Sequence, residues 1–322
     1  MLPGAAAVDV SVSGSLAAVL AAAGLPSDGH YEVKGGWVSR AWVGSSYVVR
    51  VGDAAAASAY EHEASVVALL AGTDVPHARH IAHGTSAEGS WYVSSRLPGR
   101  TLHDTWPTAS VAERRSIIHT LGDALRALHR VPAPAGLMPP WLRGALEGGS
   151  WPAYHPSVVG AAMSLVEDAA TAGLSSPSLA SWVSSHLPLF DADPHVLVHG
   201  DLHGSNIMVD DGKVTGLIDF AEAVAQPADV ELDTILRWCS RPEEFPPTPS
   251  SRGLDAASLA PVAGWLEEAY PELFARPSLS ARLAFYDLWV ELAIFGHHPD
   301  AAVRAVAEGR IRQTISGPVP AG

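Results

Sequence analysis

Residues Val196 to Phe220 read V-L-V-H-G-D-L-H-G-S-N-I-M-V-D-D-G-K-V-T-G-L-I-D-F. A short apolar strand leads into His199-Gly200-Asp201, and a tight loop follows to Asn206. Ile207-Met208-Val209 is a second strand, Asp210-Asp211-Gly212 a turn, and Val214 to Ile218 a third strand ending on Asp219. Two apolar runs around a D-G turn predict a hairpin. The hairpin fixes Asp201, Asn206 and Asp219 just off strand ends. Phosphoryl transfer asks for such a set: one carboxylate to orient and deprotonate an acceptor hydroxyl, and an amide with a second carboxylate to hold Mg2+ against nucleotide phosphates.

The five-residue step from Asp201 to Asn206 is the spacing of the protein-kinase catalytic loop H-R-D-x-x-x-x-N, and I-D-F resembles the D-F-G element. Gly200 stands where protein kinases carry Arg. The combined pattern, H-G-D-x-H-x-x-N followed by I-D-F, resembles the aminoglycoside phosphotransferase family. The resemblance implies ATP or GTP with Mg2+, a small-molecule hydroxyl as acceptor, and a kinase-like α+β fold of two lobes. In protein kinases the missing Arg pairs with a phosphorylated activation loop, so Gly200 implies an enzyme that needs no activating phosphorylation. Two other readings compete for the same residues. His199, Asp201 and His203 alternate, as ligands of a transition metal on one strand side would, but Gly204-Ser205 argues for a loop. A buried hairpin with capping polar residues is the plainer alternative.

The rest of the composition narrows the class. The 322-residue chain is 48% apolar, enough for one large domain or two lobes. Its net charge of −14 argues against a nucleic-acid or anionic-membrane partner. Cys239 is the single cysteine, which points to a reducing compartment. No run is apolar enough to span a bilayer, and no basic n-region precedes the Ala-rich start. The expectation is a cytoplasmic enzyme, monomer or homodimer.

Residues 1–95 read as the N-lobe and 96–322 as the C-lobe. A helix over Ser15 to Ala23 is followed by three β-rich runs, Tyr31 to Lys34, Arg40 to Val43 and Tyr47 to Val51, which predict an antiparallel meander. The turn at Gly35, Gly36 and Ser39 lies, on the resemblance, over the nucleotide phosphates, where glycine lets backbone N–H groups come close. Arg50 sits in the middle of an apolar strand and needs a partner; an edge-strand Arg facing solvent is the plain alternative. By position it replaces the strand-three Lys that grips phosphates, with Lys34 as the fallback cation. Ala54 to Leu70 is a helix in which Glu63 shares the inward face with Val66, Val67 and Leu70. Glu63 is therefore the expected partner of Arg50, and Glu61 faces solvent. Trp91 to Ser95 is a strand, and Ser94 to Leu97, including Arg96, is placed at the nucleotide-binding hinge by the resemblance.

In the C-lobe, Ser110 to Arg130 is an amphipathic helix ending in His129, expected to pack against the catalytic loop. Val131 to Ser157 reads as an irregular excursion whose Trp141, Trp151 and Tyr154 either stack on an acceptor or pin the loop. Helices are expected over Val158 to Ala172, Ser178 to Leu187, Val230 to Cys239, Leu254 to Tyr270 and Ser278 to Phe295. His199 props the loop, and His203 is a loop hydrogen-bonder. The family's G-D-P-x-x-D is here A-Q-P-A-D-V-E-L-D, so the acid is displaced, and Asp229 reads as a helix cap. Candidate acceptor-binding groups are Glu222, Trp151, Asp287 and Glu291. The last two share a helical face one turn apart, and the resemblance implies that acids of this lobe hold substrate amino groups; a solvated acidic edge is the alternative. An antibiotic-modifying phosphotransferase is the first reading. The others are a metabolic kinase for a sugar, amino alcohol or nucleoside, and a nucleotide-binding pseudokinase scaffold.

Overall fold

The computed structural model describes residues 14–26, 29–35, 39–87, 89–140, 158–174, 176–190, 194–245 and 254–316. After helix α1 (Gly14–Ala22), strands β1 (Glu32–Gly35), β2 (Ser39–Val43) and β3 (Tyr47–Gly52) form the expected meander. Strands β4 (His80–Ser86) and β5 (Gly89–Ser95) complete a five-stranded antiparallel sheet in the order β1-β2-β3-β5-β4. Because β5 lies beside β3, Tyr92 is the cross-strand neighbour of Arg50. Helix α2 (Ala56–Leu70) covers that face and buries Tyr60, Glu63, Val66, Val67 and Leu70, while Glu61 stays exposed. The helical period of the apolar residues thus turns Glu63 toward Arg50.

Beyond β5 the chain becomes mostly helical. Helix α3 (Val111–Leu128) opens with a capping box, Ser110 accepting from the Glu113 amide and Glu113 from the Ser110 amide. Its stripe of Ile117, Ile118, Leu121, Leu125 and Leu128 is buried. Helices α4 (Val158–Thr171) and α5 (Pro177–His186) follow, then β7 (Val196–Val198), β8 (Ile207–Asp210) and β9 (Lys213–Leu217). Asp211 and Gly212 turn the β8–β9 hairpin with φ of 47° and 69°, the left-handed pair that matches strand twist. The two-residue β6 (Arg100–Thr101) adds to β8, whereas β7 pairs with β10 (Val224–Gln226) instead of the hairpin.

Helix α6 (Val230–Ser240) follows β10. The helix expected over Leu254 to Tyr270 is divided into Ala256–Leu259 and α7 (Val262–Ala269) at Pro261, which has no N–H to continue the first. Helix α8 (Leu279–His297) is as expected. Helix α9 (Ala301–Ser316) is not among the expected elements; it buries only Ala307 and Ile311, too narrow a stripe to show as periodicity.

The two halves share a core. Val66, Val67 and Leu70 of α2 cluster with Ile117, Leu121, Ile207, Leu217 and Phe220. The crossing at Leu97-Pro98-Gly99 is tight: Leu97 packs on Gly216, and Gly99 has φ +87° and sits where a Cβ would meet Val209 O at 2.0 Å, so both the conformation and the space call for glycine. The Leu217 amide donates to Pro76 O at 2.8 Å. This packing sets the β8–β9 hairpin beneath the sheet, with the ends of β3, β7 and β9 converging.

Candidate active site

The loop between β7 and β8 is held by its own polar groups. The Asn206 amide nitrogen donates to Asp201 O at 2.8 Å and to Asp201 Oδ2 at 3.3 Å. Both of its hydrogens are therefore committed, and Oδ1 is the atom left to face a cation. His199 donates from Nε2 to Ile218 O at 2.9 Å and packs at a tilt against the Phe220 ring, which ties the Asp201 loop to the strand carrying Asp219. His203 is buried, and Phe245 packs on its ring at 4.8 Å. Burial, with His199 and His103 nearby, pushes the His203 pKa down to about 4, so the ring is neutral. Burial, followed by the Asp219 and Glu222 charges, pushes the Asp201 carboxyl up to about 8. These acids crowd one another until a cation joins them.

Asp219 sits at φ 66°, ψ 65°, a left-handed conformation that costs a non-glycine residue energy and recurs at functional sites. It turns the carboxylate toward β3, where Arg50 Nη1 donates to Asp219 Oδ1 at 2.7 Å. The other arm of Arg50 is bonded to Glu63 Oε2. The guanidinium also lies over the rings of Tyr60 and Tyr92, at 5.3 and 4.8 Å. Burial works against the Arg50 cation, but Glu63 and Asp219 outweigh it and raise its pKa. Burial would raise the Asp219 carboxyl, yet Arg50 prevails and holds it below the ordinary range. Arg50 is thus a bridge between the sheet helix and the candidate metal ligand. The solvent alternative for its side chain does not hold, since that side chain is 15% exposed.

Asn206 Oδ1 and the half-exposed Asp219 carboxylate are both oxygen donors, on segments joined by the Ile218 amide to Asn206 O bond at 3.0 Å, and oxygen is the donor that suits a hard divalent cation. A His/Asp transition-metal centre does not fit. His199 and His203 each accept a backbone amide at Nδ1. Among the described residues no group of three or more His, Cys, Asp or Glu is arranged to hold a metal ion.

Two supporting residues were not legible in the sequence. Gly200 has φ +81°, and a Cβ there would stand 2.2 Å from Glu222 O; the absence of a side chain lets the Asp201 and Asp219 loops touch. Glu231, 1% exposed, accepts the His199 amide at 2.8 Å, and His129 Nε2 lies 3.6 Å from the same oxygen. His129 therefore packs behind the loop as expected, through Glu231. The displaced acid of the A-Q-P-A-D-V-E segment is Asp229; Glu231, two residues further on, carries the contact to the loop, and no local pattern marks it.

Several expectations change. Asp229 is not a side-chain helix cap. It is fully buried and takes Arg282 at 2.7 and 2.8 Å, with the Tyr286 hydroxyl at 3.1 Å. Glu291 is neither a solvated edge nor open to an acceptor: it is 1% exposed, and its Oε1 accepts from Arg237, Arg241 and Arg310 at 2.9, 2.8 and 3.1 Å. Asp287 Oδ1 accepts from Arg237 and Arg241 at 2.7 and 2.6 Å, so arginines of the same chain already face both acids. Asp287 does line a cavity of about 690 Å³ with Asp233, Arg237 and Arg241. Arg96 is spent on the fold, its side chain donating to Gly44 O and its amide to Ser46 O. Ser94 is paired in the sheet with Val48 and His80. Gly35 and Ser39 pair with Arg40 and Gly52; Gly36, Trp141, Trp151 and Tyr154 lie outside the described residues, as do the side chains of Lys34 and Ser39. Glu222 faces Gly200 and Asp201 at the site's rim.

A five-stranded antiparallel sheet followed by a mostly helical part, with Asp201 and Asn206 on one loop and Asp219 bonded to Arg50 of the third strand, is the arrangement of a kinase-like phosphotransferase. The chain belongs to the phosphotransferase enzyme family, whose model matches residues 32–269. Similar solved structures include aminoglycoside phosphotransferase APH(4)-Ia in a ternary complex with ADP and hygromycin B. It has 20% identity and a TM-score of 0.60, over 93% of this chain and 97% of that one. The streptomycin–ATP complex of APH(2'')-IIa has 12% identity and a TM-score of 0.64, over 94% and 97%. APH(3'')-Id from Streptomyces rimosus ATCC10970 has 20% identity and a TM-score of 0.57, over 84% and 95%. At such identities the likeness is one of fold.

Proposed function

We propose that this protein transfers the γ-phosphoryl group of ATP or GTP to a hydroxyl of a small molecule, and that the acceptor is an antibiotic. The observation that carries the reading is that Asn206 bonds Asp201, the Asp219 charge acts on the same Asp201 carboxyl, and Asp219 is held in turn by the Arg50–Glu63 pair. In the reaction, Asp201 takes the acceptor's proton as the hydroxyl oxygen bonds to the γ-phosphorus. The bond from that phosphorus to the β–γ bridging oxygen breaks, and the nucleoside diphosphate leaves. Asn206 and Asp219 would hold Mg2+, which supplies charge neutralisation on the phosphates. Arg50 would turn from Asp219 to the phosphates, with Glu63 keeping its direction. The end of the first strand at Gly35 would lie near the phosphates, and the linker around Ser94 and Arg96 would receive the base through backbone atoms. Among the described residues no helix is long and apolar enough to cross a membrane.

Similarity to enzymes solved with hygromycin B and streptomycin supports an antibiotic acceptor. One observation favours a metabolic or less cationic acceptor: Asp287 and Glu291 are already neutralised by arginines of the same chain. An acceptor screen with ATP and GTP, read as an 80-Da mass gain (roughly one phosphoryl group), tests the reaction. Drug sensitivity of a host strain with and without the gene separates the two acceptors. Absence of phosphoryl transfer to any hydroxylated acceptor, with Asp201→Asn indistinguishable from wild type in nucleotide turnover, defeats the reading and leaves a nucleotide-binding scaffold.

A further inference from the structure

The loop H-G-D-L-H-G-S contains two histidines four residues apart, and the structure uses them alike. A neutral imidazole has one donor and one acceptor nitrogen, and a backbone amide can only donate. The Asp201 amide donates to His199 Nδ1 and the Ser205 amide to His203 Nδ1, both at 3.3 Å. In each ring the accepting nitrogen is therefore Nδ1 and the proton sits on Nε2. His199 bears this out, since its Nε2 faces a pure acceptor, Ile218 O, at 2.9 Å.

The same bookkeeping applied to His203 leaves one partner. Its Nε2 has Asn206 Nδ2 at 3.5 Å and Asp201 Oδ2 at 3.7 Å. Asn206 Nδ2 is an amide nitrogen, which only donates, and its two hydrogens go to Asp201 O and Oδ2, so it neither accepts from Nε2–H nor has a hydrogen left for it. Phe245 covers the ring at 4.8 Å, and the side chain is 10% exposed. Catalytic hydrogen bonds are commonly long before the substrate is bound and shorten in the complex. We infer that His203 is a positioning residue for the transfer: its Nε2–H, together with the Asn206 amide, holds Asp201 Oδ2 and leaves Oδ1 as the oxygen that meets the acceptor hydroxyl. The twin histidines then serve one acid each, His199 through the carbonyl preceding Asp219 and His203 through the carboxylate of Asp201. This assignment rests on the phosphotransferase reading above.

Three variants and one spectrum test it. In His203→Asn the side-chain oxygen keeps the Ser205 amide satisfied, but no donor reaches Asp201. In His203→Gln an N–H is restored near the Nε2 position. His203→Ala removes both. With Tm showing each variant folded, His203→Asn and His203→Ala are expected to lower kcat about tenfold or more, with nucleotide KM within about twofold. His203→Gln is expected to recover most of the loss. Equal kcat in the Asn and Gln variants overturns the assignment, because a role in packing alone would not distinguish them. Long-range 1H–15N correlation of the wild-type ring at neutral pH gives a second, activity-free readout. The Nε2–H tautomer supports the inference and the Nδ1–H tautomer overturns it. Wild-type enzyme without turnover would refute the phosphotransferase reading instead, and the tautomer would still decide this one.

Discussion

Replacing Gly200 with Ala tests how closely the two acidic loops must approach. The residue has φ +81°, and an added Cβ would stand 2.2 Å from Glu222 O and 2.9 Å from its carbonyl carbon. Holding an L-residue in the left-handed region costs about 1–2 kcal/mol. Relieving the overlap costs roughly another 1–3 kcal/mol, the range for forcing atoms into a packed site. The sum is about 2–5 kcal/mol. The overlap falls about 1 Å short of ordinary contact, and a shift of that size next to a catalytic group lowers turnover by about 100-fold. Gly212→Ala is the control. Gly212 also has positive φ, at 69°, but its Cβ would meet only Glu113 Cγ at 3.8 Å, so it should lose about 1–2 kcal/mol and keep its kcat. Urea unfolding of both variants and steady-state kinetics with a saturating acceptor provide the comparison. If Gly200→Ala unfolds with Gly212→Ala and turns over like wild type, the contact with Glu222 does not matter and the argument from loop approach fails. The same geometry explains why an Arg has no place at this position.

Asp229→Ala separates two roles for that acid. A lost helix cap costs about 1 kcal/mol, whereas leaving Arg282 buried without its carboxylate costs about 3–5 kcal/mol, and the larger loss is expected in urea unfolding because both side chains are almost fully buried. Arg50→Met strands Glu63 beneath the sheet. It should cost about 3 kcal/mol and raise the nucleotide KM, and an unchanged KM would remove Arg50 from the phosphate site. Asp233 carries the pH prediction: burial, only partly offset by Arg237, pushes its pKa up to about 7. A carboxyl raised in the folded state favours folding most below the unfolded value and loses that contribution as pH rises through about 7. Asp233→Asn should therefore gain Tm relative to wild type between pH 5 and pH 8, and parallel Tm curves would contradict the shift.

The residues that identify the chemistry were readable because they are local. Asp201, Asn206 and Asp219 sit at fixed spacings around one hairpin, and the turn Asp211-Gly212 announces that hairpin by a conformation few other pairs adopt. Helical period likewise placed Glu63 on the buried face of α2, and Arg50 in an apolar strand already demanded a partner. What the sequence could not decide was pairing at long range. Asp229, Asp287 and Glu291 are acids on helices whose periodicity fits a cap, a solvated edge or a binding face equally well. Only packing brings Arg282, Arg237, Arg241 and Arg310 against them. The contact of Glu231 with the His199 amide spans thirty-two residues, and nothing in either segment alone announces it. Spacing along the chain fixes which groups share a turn or a strand end, while the partner of a buried charge depends on which elements meet. That is settled by the burial of the shared core, not by local pattern.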